Sequence, residues 1–314
     1  MPKNKIVVVA GPTASGKSAL AIDISLAVNG IVINADSMQV YKDMPIISAV
    51  PSAEDKAKVE HRLYEIYDPS YHGNVVDWLK KAVAEIKDIW KKGKTPVVVG
   101  GTGFYLENLI KGTTPIPETP EKIRKNVERL FEKKGKEFVF QKLQEVDCQT
   151  AQKLSSNDVS RIKRAYEVYL HTNTPISEWH KKPLVKYLPD VKFFVVKICP
   201  SVEELDELCY ARFDKMMNEG ALDEVQRLYE RGLDLNLPAM KALGVPELVG
   251  YLTGHLSLRL ASQNAKLHTR QYAKRQRTWF KNRLKADFEI KECYKGHMSE
   301  ELSDMLKQFS MNDI

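Results

Sequence analysis

The chain has 314 residues, 43% of them hydrophobic, which allows a buried core in one or two domains and excludes a disordered class. No apolar run approaches the roughly 20 residues that span a bilayer, and MPKNKIVVVAG at the start lacks the layout of a secretory signal, so a cytoplasmic location is expected. A net charge of +7 points to a polyanionic partner, while four scattered cysteines without a C-x-x-C pair argue against a disulfide scaffold or a zinc site.

Residues 5–10 (KIVVVA) read as a buried strand. They run into Gly11-Pro12-Thr13-Ala14-Ser15-Gly16-Lys17-Ser18 and then into a helical stretch from residue 19 to 28. This is G-x-x-x-x-G-K-[ST] in the setting the motif requires, strand before and helix after. Backbone amides of the loop can cradle phosphate oxygens, the helix N-terminus adds positive potential, and Lys17 supplies a cation. The Ser18 hydroxyl can reach a Mg²⁺ ion.

The next strand, 31–34, ends in NADSMQVY, with Asp36 two residues beyond it. In an open α/β sheet the ligand crevice lies past the carboxyl ends of the strands, so Asp36 should face the phosphate loop. Three roles are open to it: metal ligand, general base or helix N-cap. Residues 75–92 place apolar side chains at 75, 78, 79, 82, 83, 86, 89 and 90, an amphipathic helix leading into a strand over 95–100. That strand runs into glycines and Thr102 with no acid, and the strand over 192–198 has none either. A nucleotide hydrolase usually carries a metal-supporting acid in such a place.

Between these strands the texture changes. Residues 113–120 (TTPIPETP) read as a linker, followed by charged helices at 121–134, 136–146 and 158–171. The fold class expected is α/β: a P-loop core (1–116 and 191–314) with a parallel sheet flanked by helices, plus an all-helical insertion at 117–190. Near the far end, 270–285 holds seven cations. Arg270, Lys274, Arg277 and Lys281 recur at helical spacing, with Tyr272, Trp279 and Phe280 interleaved, a pattern suited to nucleic acid.

Taken together, GPTASGKS (11–18), NADSMQVY (34–41), VVVGGTGFYL (97–106), RFDKMMNEGALDEV (212–225), LPAMKALGVPEL (237–248) and TRQYAKRQRTWF (269–280) resemble the tRNA dimethylallyltransferase family, bacterial type. The segments run in order through nearly the whole chain, and GGTGFYL and TRQYAKRQRTWF are the specific ones. The chain departs at Gly244-Val245, where members often have Gly-Tyr. Asp158, Arg161 and Arg164 of the usual pattern are kept.

The resemblance implies transfer of a dimethylallyl group from dimethylallyl diphosphate to N6 of the adenosine at position 37 of tRNA, with pyrophosphate leaving. It implies that Gly11, Thr13, Ala14, Ser15, Gly16, Lys17 and Ser18 hold the diphosphate, with Mg²⁺ on Ser18. Asp36 would be the base, with Thr102 placing the reacting centre and Arg212 on the pyrophosphate. Asp36, Ser37, Met38, Gln39, Thr102, Arg161, Arg164, Arg270, Lys274 and Arg277 would meet the anticodon stem-loop, Gln39 at a base edge. A monomer is implied. The rivals are a P-loop kinase, which needs lid arginines near the phosphate, and a nucleic-acid-binding ATPase, which needs a metal-supporting acid and a water-positioning group.

Overall fold

The computed structural model describes residues 4–311. Six strands form one parallel sheet: β1 (Lys5–Ala10), β2 (Gly30–Asn34), β3 (His61–Arg62), β4 (Thr95–Gly100), β5 (Lys192–Ile198) and β6 (Phe288–Ile290). Their order is β3-β2-β4-β1-β5-β6. The four strands expected from the sequence are all present. The added β3 and β6, of two and three residues, lie at the sheet edges and are too short to show a period.

The central strands are mostly apolar because both faces of a parallel sheet are covered. Side chains alternate along β1. Ile6, Val8 and Ala10 join Ile31, Ile33 and Val98 in a core with helix α2 (Val75–Lys91), which contributes Trp78, Leu79, Ala82, Ile86 and Ile89. Val7 and Val9 face the other way, toward Leu20, Ala21 and Ile24 of α1 (Lys17–Ala27). Leu79 and Ile86 are fully buried, so cutting either to Ala costs about 2–5 kcal/mol. The Asn74 side chain starts α2 by accepting from the amides of Val76 and Asp77.

The chain divides into two compact units, one of residues 1–110 and 187–314, the other of residues 111–186. The first holds the sheet, α1, α2, α3 (Gly103–Lys111, whose last residue lies past the division) and everything after β5. The second is helical, built on α4 (Glu121–Val146) and α5 (Val159–Thr172). Gly135, at φ 82°, interrupts α4 where the sequence analysis expects two helices to meet. Val139, Leu143, Ile162, Ala165 and Val168 form the core of this unit.

After β5 the first unit continues through α6 (Val202–Asn218), α7 (Ala221–Glu230), α8 (Val245–Leu252), α9 (Leu258–Arg283) and α10 (Glu300–Met311). Leu302 and Leu306 of α10 complete the core on the α1 side. No described helix is long and apolar enough to cross a membrane. The four cysteines are unpaired, with Cys199, Cys209 and Cys293 buried and Cys148 exposed.

Candidate active site

The loop between β1 and α1 turns on two left-handed residues. Gly16, at φ 83°, caps α1 in a left-handed conformation, and Ala14 is also left-handed at φ 64°. The first amide bond into this helix runs from Leu20 to the Gly16 carbonyl. The amides ahead of it, on Lys17, Ser18 and Ala19, therefore have no partner within the helix. Ser15 is fully buried, and its hydroxyl has no hydrogen-bond partner among the described residues. An orphaned hydroxyl inside a loop of open amides is what an absent anion would satisfy. Lys17 is buried, with its ammonium 3.4 Å from the Pro12 carbonyl. Burial pulls its pKa down to about 8, with the Asp36 charge opposing and Arg212 reinforcing the fall.

A late segment of the chain braces this loop. The Tyr294 amide donates to the Ser15 carbonyl at 3.0 Å, and its hydroxyl donates to Asp23 on α1. A Cβ on Gly16 would lie 2.3 Å from the Tyr294 carbonyl oxygen, so glycine is required there by space as well as by φ. Thr13, expected on the diphosphate, is tied through its backbone. Its amide donates to Gln276 at 2.8 Å. A single N–H spent on that bond is not open to a phosphate.

The acid lies on a second loop that is held almost wholly through backbone. Buried Asn34 accepts from the Asp36 amide at 2.8 Å and donates to the carbonyls of Asp36 and Leu63 at 3.2 and 3.1 Å. The Trp78 indole donates to the Asn34 carbonyl at 2.8 Å, and its ring stacks on Tyr105, centroids 4.6 Å apart. Of the three roles open to Asp36, helix capping is excluded. Its Oδ1 accepts from the Met38 amide at 3.0 Å in a local turn, with no helix following directly. Oδ2 takes no hydrogen bond among the described residues. Thr102 ties this loop to the end of β4: its Oγ1 accepts from the Ser37 amide at 2.9 Å and donates to the Ser37 hydroxyl at 3.1 Å.

Arg212, on α6, is half-buried beside Cys209. Burial lowers its pKa, with Asp36 and Cys209 opposing. The structure thus brings Lys17, Asp36 and Arg212 within electrostatic reach of one another. Burial likewise pushes the Tyr272 hydroxyl up to about 12; Asp36 adds to this, while Arg275 and a hydrogen bond with Gln276 oppose it.

Gln39, expected at a base edge, is held by its own loop through its amide nitrogen. It is buried, and its amide nitrogen donates to the carbonyls of Ser48 and Ala49 at 3.1 and 2.6 Å. Both N–H groups are used on its own loop. From the other side, the buried Glu224 carboxylate accepts from the amides of Ile46 and Ile47 at 2.9 and 2.8 Å.

The basic helix also differs in detail. Arg270 pairs with Asp206 at 2.6 Å, and the Arg277 Nε donates to the Pro200 carbonyl at 2.5 Å. These two guanidiniums bind α9 to α6 and the loop before it. Lys274 instead lines an open concavity with Gln271, Arg275, Thr278 and Trp279. In the helical unit, Arg161 is exposed and pairs loosely with Asp158 at 3.6 Å. Arg164 is half-buried and donates to Thr119 Oγ1 at 2.7 Å. Sequence reasoning missed Gln276 and Tyr294. Their partners lie hundreds of residues away, and neither carries a local signal.

Metal ligation has a narrow basis. Among the described residues, no group of three or more His, Cys, Asp or Glu gathers into a cage. The Ser18 hydroxyl is exposed at the start of α1. Mg²⁺ commonly keeps waters and shares substrate phosphates, so one hydroxyl beside a phosphate loop fits that ion.

Fold and site together define an α/β protein in which the glycine-rich loop before α1 carries a lysine within electrostatic reach of a backbone-held carboxylate. The model of the IPP transferase family matches residues 39–283, and the chain belongs to that family. It is 42% identical over 287 residues to the tRNA dimethylallyltransferase of Rhodospirillum centenum, covering 91% of each chain. Among solved structures, the tRNA isopentenylpyrophosphate transferase of Bacillus halodurans matches with a TM-score of 0.71 and 29% identity, over 98% of this chain and 97% of that one. A eukaryotic dimethylallyltransferase described as acting on tRNA matches with a TM-score of 0.75 and 30% identity, over 88% of this chain and 70% of that one.

Proposed function

We propose that this protein transfers a dimethylallyl group from dimethylallyl diphosphate to N6 of adenosine 37 in tRNA, beside the anticodon, and releases pyrophosphate. The carrying observation is the grouping of Lys17, Arg212 and Asp36 at the carboxyl end of the sheet, in a chain 42% identical to a named tRNA dimethylallyltransferase. Four unpaired cysteines fit a reducing compartment, and we assign the enzyme to the cytoplasm.

In this reading the open amides of the loop, Lys17 and Arg212 hold the diphosphate. They stabilise negative charge as the bond between C1 of the prenyl group and the bridging oxygen breaks. The leaving oxygen keeps the electron pair, and the N6 lone pair forms the new bond to C1. That amine is a weak nucleophile because its lone pair is delocalised into the ring. Asp36 Oδ2, the oxygen not used by the Met38 amide, orients the N–H and takes its proton. Ser37, Met38 and Thr102 line the acceptor side, and the adenine leaves its stack to reach them. Mg²⁺ held by Ser18 and the diphosphate would supply further charge neutralisation. Lys274, Arg161 and their neighbours contribute electrostatic attraction for the anticodon stem-loop.

The test is transfer from radiolabelled dimethylallyl diphosphate to unmodified tRNA, with a parallel reaction containing ATP and no donor. Label in the tRNA is the expected result. Phosphate release from ATP without label in tRNA would overturn the assignment.

A further inference from the structure

Gln276 sits on α9 amid the basic residues, yet it points the other way. It is 6% exposed, and its side-chain amide spans two loops. Oε1 accepts from the Thr13 amide at 2.8 Å, on the phosphate loop. Nε2 donates to the Gly101 carbonyl at 2.8 Å, directly before Thr102. Thr102 in turn holds Ser37, the neighbour of Asp36. A Cβ on Gly101 would lie 2.5 Å from Gln276 Nε2 and 3.4 Å from Asp36 Oδ2. The bridge therefore passes beside the acid, with space only for glycine between them.

Resting on the transferase reading, we propose that Gln276 is a positioning residue that fixes the spacing between the donor's phosphate loop and the acceptor loop carrying Asp36 and Thr102. The chemistry of the side chain fits this task. A primary amide offers an acceptor and a donor from one rigid plane. Glutamate lacks the donor, and asparagine is one methylene shorter. The bond to Gly101 is buried and the bond to Thr13 partly so, and breaking them leaves a carbonyl and an N–H short of a partner. In-line displacement needs the two reacting atoms at near-contact distance, and each loop positions the substrate that carries one of them.

Wild-type protein is assayed first for label transfer. A silent wild type overturns the transferase reading itself, whereas an active one isolates the role of Gln276. With Gln276→Ala, the single-turnover transfer rate should fall about 10- to 100-fold, while affinities for tRNA and for pyrophosphate hold within about threefold. Gln276→Glu separates positioning from folding. It keeps the acceptor for Thr13 but faces the Gly101 carbonyl with a second acceptor; protonation gives the donor back. Its rate relative to wild type should therefore rise as pH falls. If Gln276→Ala does not melt cooperatively, Gln276→Glu alone decides. A Gln276→Ala rate within about twofold of wild type, a loss confined to KM, or a Glu-to-wild-type ratio independent of pH would overturn the proposal.

Discussion

Replacing Asp36 with Asn keeps an oxygen for the Met38 amide and removes only the base. Transfer should slow by about 10²- to 10⁴-fold, with tRNA affinity unchanged in filter-binding assays. A parallel fall in affinity would make Asp36 a primary contact instead. Lys17 carries a pH signature. With its pKa at about 8 in the free protein, it is charged below that pH, and a bound diphosphate raises the pKa by stabilising the ammonium. Binding thus takes up a proton above pH 8, and pyrophosphate affinity should fall there, by up to about tenfold per pH unit. Titration calorimetry across that range in two buffers of different ionisation enthalpy reads the proton directly. A flat affinity would place Lys17 away from the anion.

Single elements show where sequence reading carries and where it stops. The strand, loop and helix from Lys5 to Ala27 were legible because everything needed is local: an apolar run, two glycines and a lysine at fixed spacing. Asp36 was legible as a residue at a strand's carboxyl end. The directions of Gln39 and Gln276 were not, because partners in space, Ser48 and Ala49 for one and Thr13 and Gly101 for the other, decide where an amide points. The cations of α9 were counted correctly as charges, but the spacing that puts Arg270 and Arg277 on one side puts that side against α6. This distinction is measurable. Lys274→Ala should reduce the slope of log affinity for tRNA against log salt by about one unit, whereas Arg270→Ala, already paired with Asp206, should change it by clearly less. Equal changes would mean that the Asp206 pair opens on RNA.

Across the whole molecule, the anion site sets stability against function. Depressing a lysine from 10.5 to about 8 costs on the order of 3 kcal/mol at neutral pH. The sign follows from proton counting: between these two values the folded state binds fewer protons than the unfolded state, so this component of stability increases as pH rises. Lys17→Met should accordingly raise the melting temperature of the free protein while abolishing its response to ligand. The wild type should instead gain about 2.7 kcal/mol when pyrophosphate is present at 100 times its Kd. Melting curves of both proteins with and without pyrophosphate test the pair of outcomes. A Lys17→Met variant less stable than wild type would show that packing of the lysine stem outweighs the buried charge.

The contact between Tyr294 and the phosphate loop also orders events during synthesis. The tyrosine that bonds to Asp23 is made 271 residues after it. At cellular elongation rates that gap lasts roughly 15 to 50 s. Through most of that interval the loop lacks both Tyr294 and the amide of Gln276, and at its end Tyr294 alone. A chain not yet extended to Tyr294 therefore carries the loop's sequence without all the contacts that brace it.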